Sequence, residues 1–392
     1  MNDLGSHYSR FRVTERTLLT GHSHQAWPDV GFEAQQRAWL DAAEWVDDKW
    51  ARAAEQAALV RAGFARLLGD ASDNIALGQN THELVTRWLS ALPLGERPRL
   101  VTTDGEFHSL RRQIDRLADE GVPVEKLPAH PVDTLAARLA EAVDPRTAGV
   151  MVSSVLFETA EIVPHLDVLA AACERHGAQL LVDAYHHLNV VPFDLRALGL
   201  ARAFVTGGGY KYCQLGEGNC FLRVPPDLSM RPVLTGWFAE FDTLDAAVSP
   251  GDATRVSRVR YPSGAGAFAG ATYDPTSHYR AAAVFAFHEE ETLTPERLRA
   301  ISRHQVALLK QRFESLDLDP SIAHAIAMPD ERRGGFLAIR TPHAHECVRR
   351  LRDRGVLTDS RADILRLGPA PYLRDEQIVD AIAALGEVLE AL

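Results

Sequence analysis

The sequence has few of the features that mark secreted, metal-binding or membrane-spanning proteins. Its 392 residues include four cysteines: Cys173, Cys213, Cys220 and Cys347. Their spacing matches neither a disulfide framework nor a paired metal-ligand motif. No stretch approaches the roughly 18 uninterrupted apolar residues of a membrane span, and the start, MNDLGSHYSRFRV, lacks the apolar core of a secretory signal. We therefore expect a cytoplasmic protein that holds no metal and contacts no membrane.

An excess of positive charge is also missing. The chain carries 42 Lys and Arg against 53 Asp and Glu, a net charge of -11. Nucleic acids and anionic membranes attract clustered basic faces, so neither is expected as a partner. A small-molecule substrate is the simplest expectation, and the length favours two closely associated domains.

Hydrophobic periodicity predicts an α/β protein. Apolar residues recur every three or four positions without proline over 32–68, which predicts a long amphipathic helix. Short apolar runs follow at 98–103, 149–155 and 178–184, each after a helical stretch. Strands that alternate with helices indicate a mainly parallel sheet covered by helices on both faces. After a loop-rich stretch at 226–280, helices and short strands from 281 onward predict a smaller α+β domain.

Ligands of such sheets lie beyond the carboxyl ends of the strands. The segments to search are therefore TTDGEFHS, SSVLFET, VDAYHH and VTGGGYKY. The last of these, residues 205–212, raises two hypotheses: a phosphate-binding glycine loop, or a loop that presents one reactive lysine. A P-loop requires Ser or Thr after its lysine, whereas Tyr212 follows Lys211. A dinucleotide-binding loop follows the first strand of its unit, whereas this cluster follows a late one.

The reactive-lysine hypothesis is strengthened by Asp183, at the end of an earlier strand. Pyridoxal phosphate enzymes use such a pair: the lysine forms a Schiff base, and the carboxylate keeps the pyridine nitrogen protonated so that the ring accepts electrons. Asp183 by itself could equally be a turn or helix-capping residue. Together the two residues favour the cofactor.

At this point the sequence resembles the kynureninase branch of the class V aminotransferase superfamily, which are fold type I pyridoxal phosphate enzymes. The matching motifs are DAYH, YKY, GQNTHELV, GEFHS, LTGWFAEFD, AFAGATYDP and RGVLTDSRADILRLGPAP, in the family's order over nearly the whole chain. The resemblance implies pyridoxal 5′-phosphate as the cofactor. It also implies a homodimer whose active sites are built from both subunits.

The resemblance assigns a role to each matching position. Lys211 and Asp183 would be catalytic. Cofactor contacts would come from Thr81, His82, Phe107, Asp183, His186, Tyr210, Lys211, Trp237 and Thr272. The substrate would meet Arg366, which grips its α-carboxylate, together with Glu158, His22 and Ser23. By the residues alone, His186 and Phe107 could be core side chains, Tyr210 a packing aromatic, Lys211 a surface lysine and Arg366 a structural ion pair.

The same resemblance divides the chain. Residues 1–50 would join the small domain or the dimer interface, 51–275 would form the large cofactor-binding α/β domain, and 276–392 the small α+β domain. The long N-terminal helix carries Trp39, Trp45 and Trp50, which suit either a buried interface or an ordinary core.

The expected reaction is hydrolysis of a Cβ–Cγ bond, which would convert L-kynurenine or an analogue to anthranilate and L-alanine in tryptophan catabolism. Cysteine desulfurases carry a nucleophilic cysteine just before the carboxylate-binding arginine, and GVLTDSRADILRLG contains none. Two departures concern the substrate pocket: Thr272 replaces the family's Asn, and Glu158 stands at an aromatic position. The alternatives are another amino-acid reaction, such as β-elimination, epimerisation or transamination, or a relative that has lost catalysis.

Overall fold

A computed structural model describes residues 4–72, 74–243 and 259–392. In that part of the chain the α-helices are α1 Val30–Trp45, α2 Lys49–Leu68, α3 Thr81–Ala91, α4 His108–Asp119, α5 Leu135–Ala142, α6 Leu166–His176, α7 Thr276–Glu290, α8 Pro295–Glu314, α9 Ala344–Asp353 and α10 Asp375–Glu390. The strands are β1 Thr17–Leu18, β2 Ile75–Gly78, β3 Arg99–Thr103, β4 Val124–Leu127, β5 Thr147–Ser153, β6 Gln179–Asp183, β7 Phe204–Gly208, β8 Cys220–Arg223, β9 His324–Ala325, β10 Leu337–Arg340, β11 Val356–Leu357, β12 Asp359–Arg361 and β13 Ile364–Leu367. No helix in these residues is both long enough and apolar enough to cross a bilayer.

The largest sheet has seven strands in the order β2-β8-β7-β6-β5-β3-β4. Its only antiparallel pairs are those of β8 with β2 and with β7, so β8 alone runs against the other six strands. The carboxyl ends of β2, β3, β5, β6 and β7 consequently meet at one edge. That edge collects every strand-end segment that the sequence singled out.

Alternation along the strands explains why helices cover both faces. Leu180 and Val182 of β6 pack with residues of α2, α5 and α6, whereas Leu181 packs with Trp88 of α3 and residues of α4. Successive side chains of a strand point to opposite faces, so a run of apolar residues needs a helical layer on each side. The predicted α/β fold with a mainly parallel sheet is confirmed.

A second, four-stranded antiparallel sheet has the order β12-β13-β10-β9. It shares a separate hydrophobic core with α8, α9 and α10. The N-terminal segment joins this part of the chain, since β1 pairs in parallel with β11 and Thr20 bridges to Gly368. This pairing brings residues 17–25 from the start of the chain to the edge of the large sheet where the carboxyl ends of its strands meet.

The predicted helix over 32–68 is two helices. A 3₁₀ turn at Val46–Asp48 separates α1 from α2, and Val46 has φ of 48°, in the left-handed region. A β-branched residue is strained there, and the two aspartates that follow are weak helix formers in an interior position. Hydrophobic periodicity continues through this stretch and therefore conceals the break.

Candidate active site

The glycine-rich segment forms the hairpin between β7 and β8. Gly207 and Gly208 belong to β7 itself, and Gly209 N–H donates to the Asn219 carbonyl across the hairpin at 2.8 Å. A Cβ atom at Gly208 would lie 2.4 Å from the Tyr185 hydroxyl oxygen and 2.5 Å from Cys220 Sγ. This glycine is therefore needed for close packing beside the lysine that the hairpin presents.

Lys211 lies inside the protein, with 4% of its surface exposed. Its Nζ is 2.7 Å from His186 Nε2 and lies 4.6 Å from the ring centre of Tyr185 and 5.2 Å from that of Phe107. Burial lowers the pKa of Lys211 to about 7, against the opposing effect of the Asp183 charge. Near neutral pH much of this amine is unprotonated, which is the form that acts as a nucleophile.

Asp183 ends β6 and is buried beside the same cavity. Burial raises its pKa, while the Tyr185 N–H, which donates to Oδ1 at 2.8 Å, and the Lys211 charge lower it. These two interactions stabilise the ionised carboxylate inside the protein.

His186 is also buried, and its pKa lies well below the ordinary value because of burial and the neighbouring Lys211 charge. It is therefore neutral beside Lys211. Its Nδ1 is buried and has no hydrogen-bond partner among the described residues. An unpaired buried polar atom at this place suits a site that binds a polar ligand.

One cavity of about 230 Å³ joins these groups. Six of the predicted cofactor residues line it: Thr81, Phe107, Asp183, His186, Tyr210 and Lys211. The lining residues that the sequence did not single out are Gln79, Asn80, Ser109, Ser153, Val155, Phe157, Tyr185, Glu217, Gly218 and Cys220. The strand-end rule covers several of them, because they follow β2, β5 and β6 directly.

The start of α3, at Thr81, lies at one side of the cavity. The side chain of Asn80 caps this helix by accepting the Glu83 N–H at 2.9 Å. The first backbone N–H groups of a helix lack intrahelical partners and, with the helix dipole, favour a phosphate. Asn80, Thr81 and Tyr210 are among the residues that line the cavity.

Arg366 lies beside the cavity and is 2% exposed. Its Nε and Nη2 donate to the two oxygens of Asp359, and its Nη1 donates to the Phe157 carbonyl at 2.7 Å. His22 Nε2 contacts Asp359 Oδ1 at 2.7 Å, and burial lowers the pKa of His22 to about 4. A guanidinium has five N–H groups, so these contacts leave two for a further carboxylate. His22 thus contacts Arg366 through Asp359.

The remaining predicted residues lie outside the cavity lining. His82 and Glu158 are exposed, and Ser23 donates to the carbonyl of Thr20 within its own turn. Trp237 and Thr272 are both exposed and form a hydrogen bond of 3.3 Å with each other. The structure therefore does not bring these five side chains to Lys211 within one chain.

Comparisons with known proteins agree with this geometry. Residues 298–385 match the family model of the kynureninase C-terminal domain. The chain is 24% identical over 385 residues to an uncharacterized aminotransferase, YcbU, of Bacillus subtilis, which covers 94% of both chains. It is 29% identical over 263 residues to a kynureninase of Pseudomonas fluorescens, covering 64% of this chain and 58% of the relative. The chain is similar to the kynureninase branch of the class V aminotransferase superfamily.

The fold agrees with this similarity. The structure of a cystine C–S lyase in complex with its product, cysteine persulfide, superposes with a TM-score of 0.82 at 18% identity, over 96% of this chain and 98% of the lyase. The predicted fold of type I pyridoxal phosphate enzymes is therefore confirmed. The comparisons indicate pyridoxal 5′-phosphate, the cofactor that the sequence predicts.

The residues of the cavity fit that cofactor. A buried amine with lowered pKa can react with its aldehyde, a buried carboxylate can face its pyridine nitrogen, an aromatic ring can stack on its face, and a helix N-terminus can hold its phosphate. Within the described residues no cluster of His, Cys, Asp and Glu is placed to hold a metal ion.

Proposed function

We propose that this protein is a pyridoxal phosphate enzyme that hydrolyses the Cβ–Cγ bond of L-kynurenine or an analogue and releases anthranilate and L-alanine. One observation carries the proposal: Lys211, Asp183, Phe107 and the start of α3 converge on a single cavity. The match to the kynureninase C-terminal domain and the similarity to a kynureninase support the finer assignment.

Each residue has a role in this proposal. When bound, the cofactor withdraws electrons from the substrate Cα. Lys211 holds the cofactor in the resting protein and, once displaced by substrate, carries a proton between substrate carbons. Asp183 would keep the pyridine nitrogen of the bound cofactor protonated, and the Phe107 ring would stack on it. His186, 2.7 Å from Nζ, orients the lysine amine.

The α-carboxylate of the substrate would bind the two remaining N–H groups of Arg366. Asp359 and the Phe157 carbonyl hold the guanidinium plane in place, and His22 holds Asp359. A fixed guanidinium binds a carboxylate with little loss of side-chain freedom, and a lysine could not reproduce its planar geometry. Glu158 lies next to Phe157 and, being exposed, could meet an amino group of a substrate that enters from solvent.

Water would attack the γ-carbonyl carbon while the Cβ–Cγ bond breaks, so that Cγ becomes a carboxylate and Cβ accepts a proton. Lys211 is a buried amine that can carry this proton. All four cysteines are buried. Burial raises the pKa of Cys213 and Cys220 to about 12, which opposes a thiolate-based desulfurase mechanism.

The test is the release of fluorescent anthranilate from L-kynurenine, or of 3-hydroxyanthranilate from its 3-hydroxy form, by the cofactor-loaded protein. We expect multiple turnovers from the wild type and none from Lys211→Ala. Lys310→Ala is the matched control, because Lys310 pairs with Asp330 on the surface. No anthranilate from wild-type protein that binds the cofactor would contradict the hydrolase.

A second candidate is another amino-acid reaction at the same site, such as transamination or β-elimination. The similarity to YcbU, which extends over 94% of each chain, favours transamination among these. Product analysis with a panel of amino acids and a keto-acid acceptor distinguishes the two candidates, since only transamination returns a new amino acid from the acceptor.

We also propose a homodimer that completes the site. Trp237 and Phe241 are 44% and 58% exposed, and Val233 and Leu234 beside them are 80% and 51% exposed. An apolar surface of this kind suits burial against a second copy, which would also enclose Thr272. Sedimentation of the cofactor-loaded protein tests this proposal, and a monomer that retains full activity would contradict it.

A further inference from the structure

Glu106 is a buried carboxyl group that the proposed chemistry does not use. It follows β3, directly before Phe107, and is 2% exposed. Thr103 Oγ1 donates to Oε1 at 2.6 Å, Ser153 Oγ contacts Oε2 at 2.6 Å, and the Ser153 N–H donates to Oε1 at 3.2 Å. All three partners are uncharged, so no positive charge offsets the burial of this carboxyl.

The position of Glu106 connects it to the cavity. Ser153 is paired with Asp183 across β5 and β6, and both residues line the cavity. Phe107, which follows Glu106 in the chain, lines it as well. The Glu106 carboxyl therefore contacts a residue of the cavity lining, Ser153, whose neighbour across the two strands is Asp183.

The charges around Glu106 decide where a proton resides. Burial and, to a smaller extent, the Asp183 charge raise the pKa of Glu106 to about 7, against the opposing effect of the hydrogen bonds from Ser153 and Thr103. Asp183, on β6, is the charged group that faces it, while Thr103 and Ser153 do not titrate. Asp183 also receives a backbone N–H and the Lys211 charge, and both lower its pKa and favour its ionised form.

A protonated and an ionised Glu106 use Ser153 differently. An ionised carboxylate only accepts hydrogen bonds, so the Ser153 hydroxyl must donate to it. A protonated carboxyl can donate to the Ser153 oxygen, which frees the hydroxyl hydrogen for another acceptor. The same proton also removes a negative charge from the vicinity of Asp183.

We propose that Glu106 is a positioning residue for the cofactor's pyridine ring, which it influences through Ser153 and Asp183 by holding or releasing one proton. The inference rests on the proposed pyridoxal phosphate site. Ionised Glu106 adds negative charge behind Asp183 and so favours a protonated ring nitrogen, whereas neutral Glu106 does not.

The experiment measures the protonation of the cofactor itself. Protein loaded with pyridoxal phosphate that is ¹⁵N-labelled in the ring is titrated by NMR as wild type, Glu106→Gln and Glu161→Gln. Near about pH 6, where Glu106 is neutral, we expect the ring-nitrogen signals of wild type and Glu106→Gln to coincide. As the pH rises, we expect the ring nitrogen in Glu106→Gln to lose its proton at a pH about one unit lower than in wild type. Coincident profiles would overturn the proposal.

Glu161→Gln is the matched control. Burial also raises the pKa of Glu161, but its carboxylate faces His130. We expect its profile to follow the wild type. If the role of Glu106 were purely structural, Glu106→Gln would weaken cofactor binding by the same factor at every pH and would leave the titration of the ring nitrogen unchanged. That result would also overturn the proposal.

A second measurement does not depend on the cofactor or on how the variant folds. Infrared spectra of the wild-type protein without cofactor should show a carboxylic-acid C=O band that disappears with a midpoint near pH 7. Absence of such a band near about pH 6 would overturn the inference. Wild-type protein that shows the band but binds no cofactor would contradict the proposed function and not the proton on Glu106.

Discussion

Lys211 should capture the cofactor's aldehyde at a pH where an ordinary lysine hardly reacts. Burial lowers its pKa from 10.5 to about 7, so about half of the Lys211 amines are unprotonated at pH 7. An exposed lysine has roughly one unprotonated amine in 3,000 at that pH. The unprotonated, reactive fraction of Lys211 at pH 7 should therefore be about 1,500 times that of an exposed lysine.

The assay is stopped-flow mixing of the cofactor-free protein with pyridoxal phosphate, followed by the visible absorption of the lysine-bound cofactor. Below pH 7 we expect the rate constant of capture to rise about tenfold per pH unit, and above pH 7 to level off. Nα-acetyl-lysine is the reference, because its rate should still rise through about pH 9. Lys211→Met should show no capture, and Lys310→Ala should follow the wild type.

The reasoning would be refuted by a wild-type rate that keeps rising tenfold per unit through about pH 9, as for the free amine. Such a profile would mean that Lys211 is protonated in the folded protein and that its contact with His186 is an ordinary charged hydrogen bond. It would also imply that water enters the cavity and solvates the ammonium group.

Three further predictions concern the same site. The folded pKa of Lys211 lies below its unfolded value, so the unfolded chain binds more protons above pH 7 and the wild-type protein without cofactor gains stability as pH rises. Chemical denaturation should therefore show the stability advantage of Lys211→Met shrinking by about 2 to 3 kcal/mol between about pH 7 and 9, whereas a constant difference would contradict the shift. Asp183→Asn should still bind the cofactor but lose roughly 10²- to 10³-fold in kcat, and unchanged kinetics would exclude Asp183 from the electron sink. Arg366→Lys should lower kcat/KM by about 10- to 100-fold, mainly through KM, and an unaffected KM would place the substrate carboxylate elsewhere.

The strand-end rule accounts for most of what the sequence predicted correctly about the cavity. Phe107 and Lys211 follow two strands and Asp183 ends a third, and in a parallel sheet such positions meet at one edge, whereas Thr81 was assigned through the resemblance. Each strand was recognisable as an apolar run bounded by turn residues. The cavity lining was therefore partly predictable without knowledge of which strands are neighbours.

The strand-end segments include Ser153, Phe157 and Glu106, but nothing in these residue types shows that they contribute to the site. Ser153 and Phe157 extend an apolar strand into a loop, and Glu106 resembles any carboxylate of a loop. Their importance comes from partners that are distant in sequence, such as the 47 residues that separate Ser153 from Glu106. A single sequence contains no signal for such a contact.

The contacts of Arg366, the proposed carboxylate-binding residue, were even less predictable from the sequence. Arg366 was assigned through a resemblance, but its contact with Asp359 depends on β12 and β13 being paired, and His22 reaches Asp359 from 337 residues away. The resemblance also assigned Trp237 and Thr272, which are exposed in the single chain, so their role depends on the proposed dimer.

The charges of the cavity explain why its groups can be prepared for reaction before any ligand binds. Asp359 is already paired with Arg366, and His186 is neutral. Neither residue therefore forms an ion pair with Lys211. Lys211 and Asp183 interact by charge without forming a salt bridge at contact distance, so each can lose or keep its proton according to its own surroundings. A direct ion pair would raise the pKa of the lysine and remove its nucleophilic form near neutral pH. The separation of these two side chains is therefore as important to the proposed chemistry as their presence.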